Sequence, residues 1–71
     1  MQVFATLYTT RKGIPAVWEF VKTGSGSYIY TDGKRFNSCR DYKELRQTYE
    51  KYLTYTRKDG KLTFSKQPVA V

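Results

Sequence analysis

Seven basic residues stand where phosphate chemistry would want them: Arg11 and Lys12, Lys34 and Arg35, Arg57 and Lys58, and Lys61, each beside one of the glycines Gly13, Gly33 and Gly60. Lys and Arg held in turns can neutralise phosphates and release condensed counterions, a contact that needs no particular sequence. The chain carries 13 Lys and Arg against 6 Asp and Glu, a net charge of +7. Residues 39–55 are close to balance, so the surplus falls on residues 1–38 and 56–71. A field of this kind also draws acidic proteins, and cations in turns serve solubility and edge protection as well.

Covalent chemistry is thinly provided. Histidine, the commonest general base and metal ligand, is absent. Asp41 and Glu44 lie one helical turn apart, which reads as first-turn charge before it reads as a catalytic pair. Cys39 stands near Arg35 and Arg40, surroundings that can favour a thiolate. No base accompanies it, so packing is its expected role. The Gly24-Ser25-Gly26 segment lacks the Lys-Ser/Thr of a phosphate loop and is followed by a strand pattern. The expectation is a non-enzymatic protein without catalytic residues, metal or other cofactor.

The 71 residues make one small domain, near the lower limit for a core without staples. One cysteine forms no internal disulfide, so large side chains must supply the burial: seven Tyr, four Phe and one Trp. The Met1-Gln2-Val3-Phe4 start enters a strand pattern with no signal-peptide layout. No apolar run reaches the length of a membrane span. A cytoplasmic location with no membrane partner is the corresponding expectation.

Three segments alternate with period two. Val3–Thr9 places Phe4, Thr6 and Tyr8 on one parity, and Val3, Ala5 and Leu7 on the other. Ala16–Lys22 sets Trp18 and Phe20 against Val17, Glu19 and Val21, and Ser27–Thr31 sets Tyr28 and Tyr30 against Ile29. Side chains of a strand alternate between faces, so one sheet would have an aromatic face and an aliphatic face. Thr9–Pro15 and Thr23–Ser27 read as loops, and Asp32-Gly33 as a type I′ hairpin turn leading to a short strand Lys34–Phe36.

Ser38 is the candidate N-cap of an amphipathic helix, with Asp41 in its first turn. Tyr42, Leu45, Tyr49, Tyr52 and Leu53 form a single apolar stripe. Its end is open, because Arg57, Lys58 and Gly60 read as a helix terminus while Thr54-Tyr55-Thr56 and Asp59-Gly60 read as strand and hairpin. Leu62 and Phe64 look like a final strand. The fold class expected is α+β: an antiparallel three- to four-stranded sheet, one helix over about residues 39–56 on one face, and a short C-terminal strand. Residues 1–66 would form the domain and 67–71 a flexible tail.

Only one sheet face can lie under the helix. Glu19 shares the aliphatic face, and burying an unpaired carboxylate there would cost several kcal/mol. The aromatic residues offer the greater area to bury, so they are the expected core. The competing reading makes them an open platform on which unpaired bases stack.

From the strands through Asp32-Gly33-Lys34-Arg35-Phe36-Asn37-Ser38 into an acid-capped helix, residues 16 to 53 resemble three-stranded-sheet-plus-helix DNA-binding modules, the arm-binding domains of phage-type integrases among them. No residue role is carried across from that likeness. The functional expectation is a small basic protein binding DNA or RNA, with Arg11, Lys12, Lys34, Arg35, Arg57, Lys58 and Lys61 on phosphates and one sheet face giving recognition. The alternative is a protein-interaction module, such as a virus- or phage-encoded inhibitor or adaptor. It would meet an acidic protein through the sheet face or form a homodimer.

Overall fold

A computed structural model describes residues 1–11, 13–55 and 63–68; of Arg11 it describes the backbone alone. The chain forms β1 (Gln2–Arg11), β2 (Ile14–Lys22), β3 (Tyr28–Thr31), β4 (Phe36–Cys39), α1 (Tyr42–Leu53) and β5 (Phe64–Ser65). The fold is α+β. Its sheet has five strands in the order β4-β3-β2-β1-β5, every neighbour antiparallel, instead of three or four.

β1 and β2 run further than the alternation suggests. Arg11 pairs with Ile14 and Thr10 with Pro15, so the expected Thr9–Pro15 loop shrinks to Lys12 and Gly13. Gly13 takes φ +78°, the conformation such a tight reversal requires. A two-residue loop closes on a hydrogen-bonded pair, which turns the nitrogen of Pro15 away from β1. That side is one β3 does not reach, since β3 pairs only with Glu19–Lys22. The proline therefore removes a donor from an open stretch of edge, a defence against unwanted strand pairing.

The register of β1 holds one irregularity. Val3 pairs with Val21 and Ala5 with Phe20, leaving Phe4 as an extra residue in a bulge. Beyond it the parity is the reverse of the one expected: Leu7 pairs with Trp18 and Thr9 with Ala16, while Thr6 and Tyr8 pair with Glu19 and Val17. Leu7 and Thr9 are buried under the helix, and Thr6 and Tyr8 belong to the opposite face. Phe4, carried by the bulge, meets Tyr28 and Tyr42 at ring-centroid distances of 6.2 and 5.0 Å. The aromatic face of β2 and β3 is the core face, as expected; in β1 the core is aliphatic.

α1 lies on that face. Leu7, Phe20 and Leu45 form the buried centre, with Trp18, Tyr30, Tyr49, Tyr52 and Phe64 packed around it. Tyr52 meets Trp18, Phe20 and Tyr30 in T-shaped pairs, and stacks on Phe64 at 5.0 Å and 22°. Edge-to-face and offset-stacked rings each add about 0.5–1.5 kcal/mol beyond the area they bury. A mesh of rings thus supplies what so short a chain lacks in depth. β5 is tied in by the Thr9 hydroxyl, which donates to the Thr63 carbonyl 54 residues away.

The helix starts three residues later than expected. Phe36–Cys39 pair with β3, Ser38 opposite Ile29, so Ser38 is spent on the sheet. Asp41 is the N-cap: its Oδ1 accepts from the Glu44 N–H at 2.9 Å, and Glu44 occupies the capping-box position. At the other end Thr54 caps the helix, its hydroxyl donating to the carbonyls of Glu50 and Lys51 at 3.3 and 3.1 Å. The ambiguity over residues 54–58 is resolved to that point. Thr56, Asp59-Gly60, Leu62 and the end of the 67–71 tail lie outside the described residues.

Candidate nucleic-acid interface

Two of the basic turns open toward the same end of the sheet. β3 is antiparallel to β2 and therefore runs with β1, so the β3–β4 connection and the β1–β2 connection leave the sheet in one direction. They are staggered, because Thr31 pairs with Glu19 while the hairpin closes at Ile14. Five residues of strand correspond to about 16 Å. The helix climbs to this end too. Tyr42 lies beside Phe4, whereas Tyr55 lies 6.0 Å from Phe64, the partner of Thr9.

The 32–35 connection is shaped by Asp32. Its Oδ1 accepts from the Lys34 and Arg35 N–H groups at 2.9 and 2.8 Å, and the Thr31 hydroxyl accepts from the Gly33 N–H. Gly33 has φ +93°. A four-residue loop closed by an aspartate replaces the expected two-residue type I′ turn, and β4 is correspondingly Phe36–Cys39 instead of Lys34–Phe36. These amide bonds, aided by the nearby Arg35 charge, hold the Asp32 carboxyl below its ordinary range. Lys34 and Arg35 are exposed on a loop whose backbone is already ordered.

Among the described residues the two ion pairs are both on the helix side of the chain, Arg40 with Glu44 at 3.8 Å and Arg46 with Glu50 at 3.3 Å. Of the seven candidate phosphate contacts, the structure places Lys34 and Arg35 together. Arg11 is set by its backbone at the hairpin tip, and Lys12, Arg57, Lys58 and Lys61 lie outside the described residues.

The sheet face away from the helix has a different character. It presents Val3, Thr6, Tyr8 and Thr10 from β1, Pro15, Val17, Glu19 and Val21 from β2, Ile29 and Thr31 from β3, and Phe36 and Ser38 from β4. Glu19 is exposed, as its position between two valines requires. Among the described residues of this face there is no Lys or Arg, so an acidic partner finds no charge complement on it. Lys22 belongs to the helix side, where its ammonium lies 5.7 Å from the Tyr28 ring centroid. The neutrality of the outer face is the same on either parity of β1, since neither set of residues from Val3 to Thr10 carries a charge; what the bulge changes is which side chains stand there. Tyr8 stands on this face in place of Leu7.

The remaining polar chemistry belongs to the core. Burial, with Glu44 and Asp41 adding to it, pushes the Cys39 thiol above its ordinary value, against the thiolate that Arg35 and Arg40 suggested. Burial and the Tyr52 hydroxyl push Tyr30 up to about 12. A proton held more tightly in the folded state makes this contribution to stability complete below pH 10 and lost as pH rises toward 12. In a spectrophotometric titration, one tyrosine is therefore expected to ionise well after the exposed ones, together with unfolding. A single transition near pH 10 for every tyrosine would contradict the packing of Tyr30.

No group of three or more metal-ligating side chains occurs among the described residues, and no helix there is long and apolar enough to cross a membrane. Set against protein-family models, curated proteins and solved structures, the chain matches none of them.

Proposed function

We propose that this protein binds nucleic acid through the basic end of its sheet, by phosphate contact and with little preference for sequence. One observation carries the reading: chain topology directs the β1–β2 connection, which follows Arg11, and the Lys34–Arg35 connection to a common end, in a molecule of net charge +7. The order of the 32–35 loop supports it further, since a preformed loop loses less freedom on binding. Base stacking on the sheet is not part of this reading, because Trp18, Phe20 and Tyr30 pack under the helix. Among the described residues the outer face adds no cation with which to seat itself in a groove, so recognition falls to the turns.

Fluorescence anisotropy with labelled duplex DNA, single-stranded DNA and RNA tests this directly. Affinity should fall steeply with salt, and the Lys34→Ala/Arg35→Ala pair should flatten the logarithmic slope by about 2 on duplex DNA. Trp18 emission should stay blue-shifted and unchanged as nucleic acid is added, since the indole lies among Tyr30, Tyr52 and Phe64. Absence of binding to all three probes at about 50 mM salt ends the proposal.

A further inference from the structure

We infer that Val69-Ala70-Val71, which lie outside the described residues, add to the open edge of β1 and fill the groove between that edge and α1. β5 covers β1 only at Tyr8 and Thr9. Toward Gln2 the same edge meets no strand among the described residues. Beside it runs a groove of about 300 Å³, floored by Phe4, Ala5, Leu45, Tyr49 and Leu53 and lined also by the exposed Lys66. One water takes about 30 Å³, so this is room for side chains.

Strand direction brings the segment there. β5 is antiparallel to β1, so the chain leaves Ser65 heading from the level of Tyr8 toward that of Gln2. Lys66 already lines the groove, and only Gln67 and Pro68 separate it from Val69. A segment so tethered meets the groove at an effective concentration of about millimolar, an advantage over any free strand.

Hydrogen bonding sets the register. The Arg11–Ile14 pair closes the hairpin, so by alternation Ala5, Leu7 and Thr9 bond to β2, while Thr6 and Tyr8 turn their N–H and C=O away from it. Tyr8 meets Ser65, and Thr6 is the next residue in need of a partner. Gln67 does not serve: its carbonyl accepts from the Ser65 hydroxyl at 2.6 Å where the chain bends, and no backbone bond joins it to Thr6. Pro68 has no N–H to give. Partners across a ladder share a face, and Thr6 belongs to the outer one. Ala70 opposite Thr6 therefore sends Val69 and Val71 to the groove, whereas Val69 opposite Thr6 would leave both valines outside. The groove lies toward the Gln2 end of β1, away from the basic turns, so the inference stands apart from the nucleic-acid reading.

Amide exchange followed by NMR on the full chain tests this. The Thr6 amide should be protected, and the methyls of Val69 and Val71 should show nuclear Overhauser contacts to the Tyr49 ring. Val69→Asp/Val71→Asp should speed Thr6 exchange by about ten-fold or more, with Leu7 still protected by β2 and far-UV circular dichroism unchanged. A Thr6 amide that exchanges as fast in the parent as in the variant overturns the inference. So does protection that grows with protein concentration, which would give the edge to a second copy.

Discussion

Phe20→Ala is expected to cost about 3–5 kcal/mol, a large share of what holds this chain folded. Large-to-small changes at buried aromatic sites carry costs of this order, because lost transfer energy and the remaining cavity add together. A domain of this size holds about 3.5–10 kcal/mol in all. Phe20 is 1% exposed and lies between Leu7 and Leu45 at the centre of the core. Its ring also stacks on Tyr30 at 5.5 Å and takes the edges of Tyr49 and Tyr52 at 5.6 and 6.2 Å. Removing it unsupports three rings at once. Urea denaturation followed by tryptophan emission would measure the loss. A change below about 1 kcal/mol would mean that the core is not organised around this ring.

Deleting single residues from β1 should separate two positions two residues apart. Loss of Phe4 removes the extra residue of the bulge and leaves Val3 opposite Val21 and Ala5 opposite Phe20, the pairs already present. The cost is then the packing of one partly exposed ring on Tyr28 and Tyr42, about 1–2 kcal/mol. Loss of Thr6 is another matter. It brings Ala5 and Leu7 into sequence, and one of them must turn to the outer face. If the turn falls downstream, Leu7 and Thr9 leave the core together, and with them goes the Thr9 hydroxyl that holds Thr63. Deletion of Thr6 should abolish cooperative unfolding, whereas deletion of Phe4 should shift its midpoint. Equal effects would show that the irregularity in β1 does not set the register.

The bulge also explains where the sequence could be read and where it misled. Alternation in β2 and β3 is uninterrupted, so Trp18, Phe20, Tyr28 and Tyr30 could be placed on one face, and Glu19 told which face was wet. In β1 the same alternation is present, but one extra residue reverses its meaning after Val3. A bulge built on phenylalanine has no glycine to announce it. The stripe of α1 was equally legible, from Tyr42 to Leu53. Its start was not, because Ser38 and Asp41 are both competent caps and only pairing with Ile29 decides between them. At Asp32-Gly33 the local signal was true as a reversal and false as a type, since a carboxylate accepting two amides favours a longer loop.

For the candidate interface, legibility was partial for a different reason. The basic residues are visible by composition, but the end of the molecule they occupy depends on strand direction, which pairing alone reveals. The neutrality of the outer face is independent of the parity reversal in β1, because neither set of β1 residues between Val3 and Thr10 is charged. The grouping of the turns therefore follows from strand direction, and the blank reverse side from residue type.

The junction of β1 with β5 carries a consequence for the order in which the molecule is built. The strands β1 to β4 each pair with their neighbour in the chain, whereas β5 returns to Tyr8 and Thr9 across more than fifty residues. As the chain leaves the ribosome, the hairpin, the sheet and the helix can assemble while that side of β1 is still without its partner. Until Thr63 arrives to take the Thr9 hydroxyl, the nascent protein exposes an open seam along β1. Crowded polysomes, more than dilute solution, are where that seam matters.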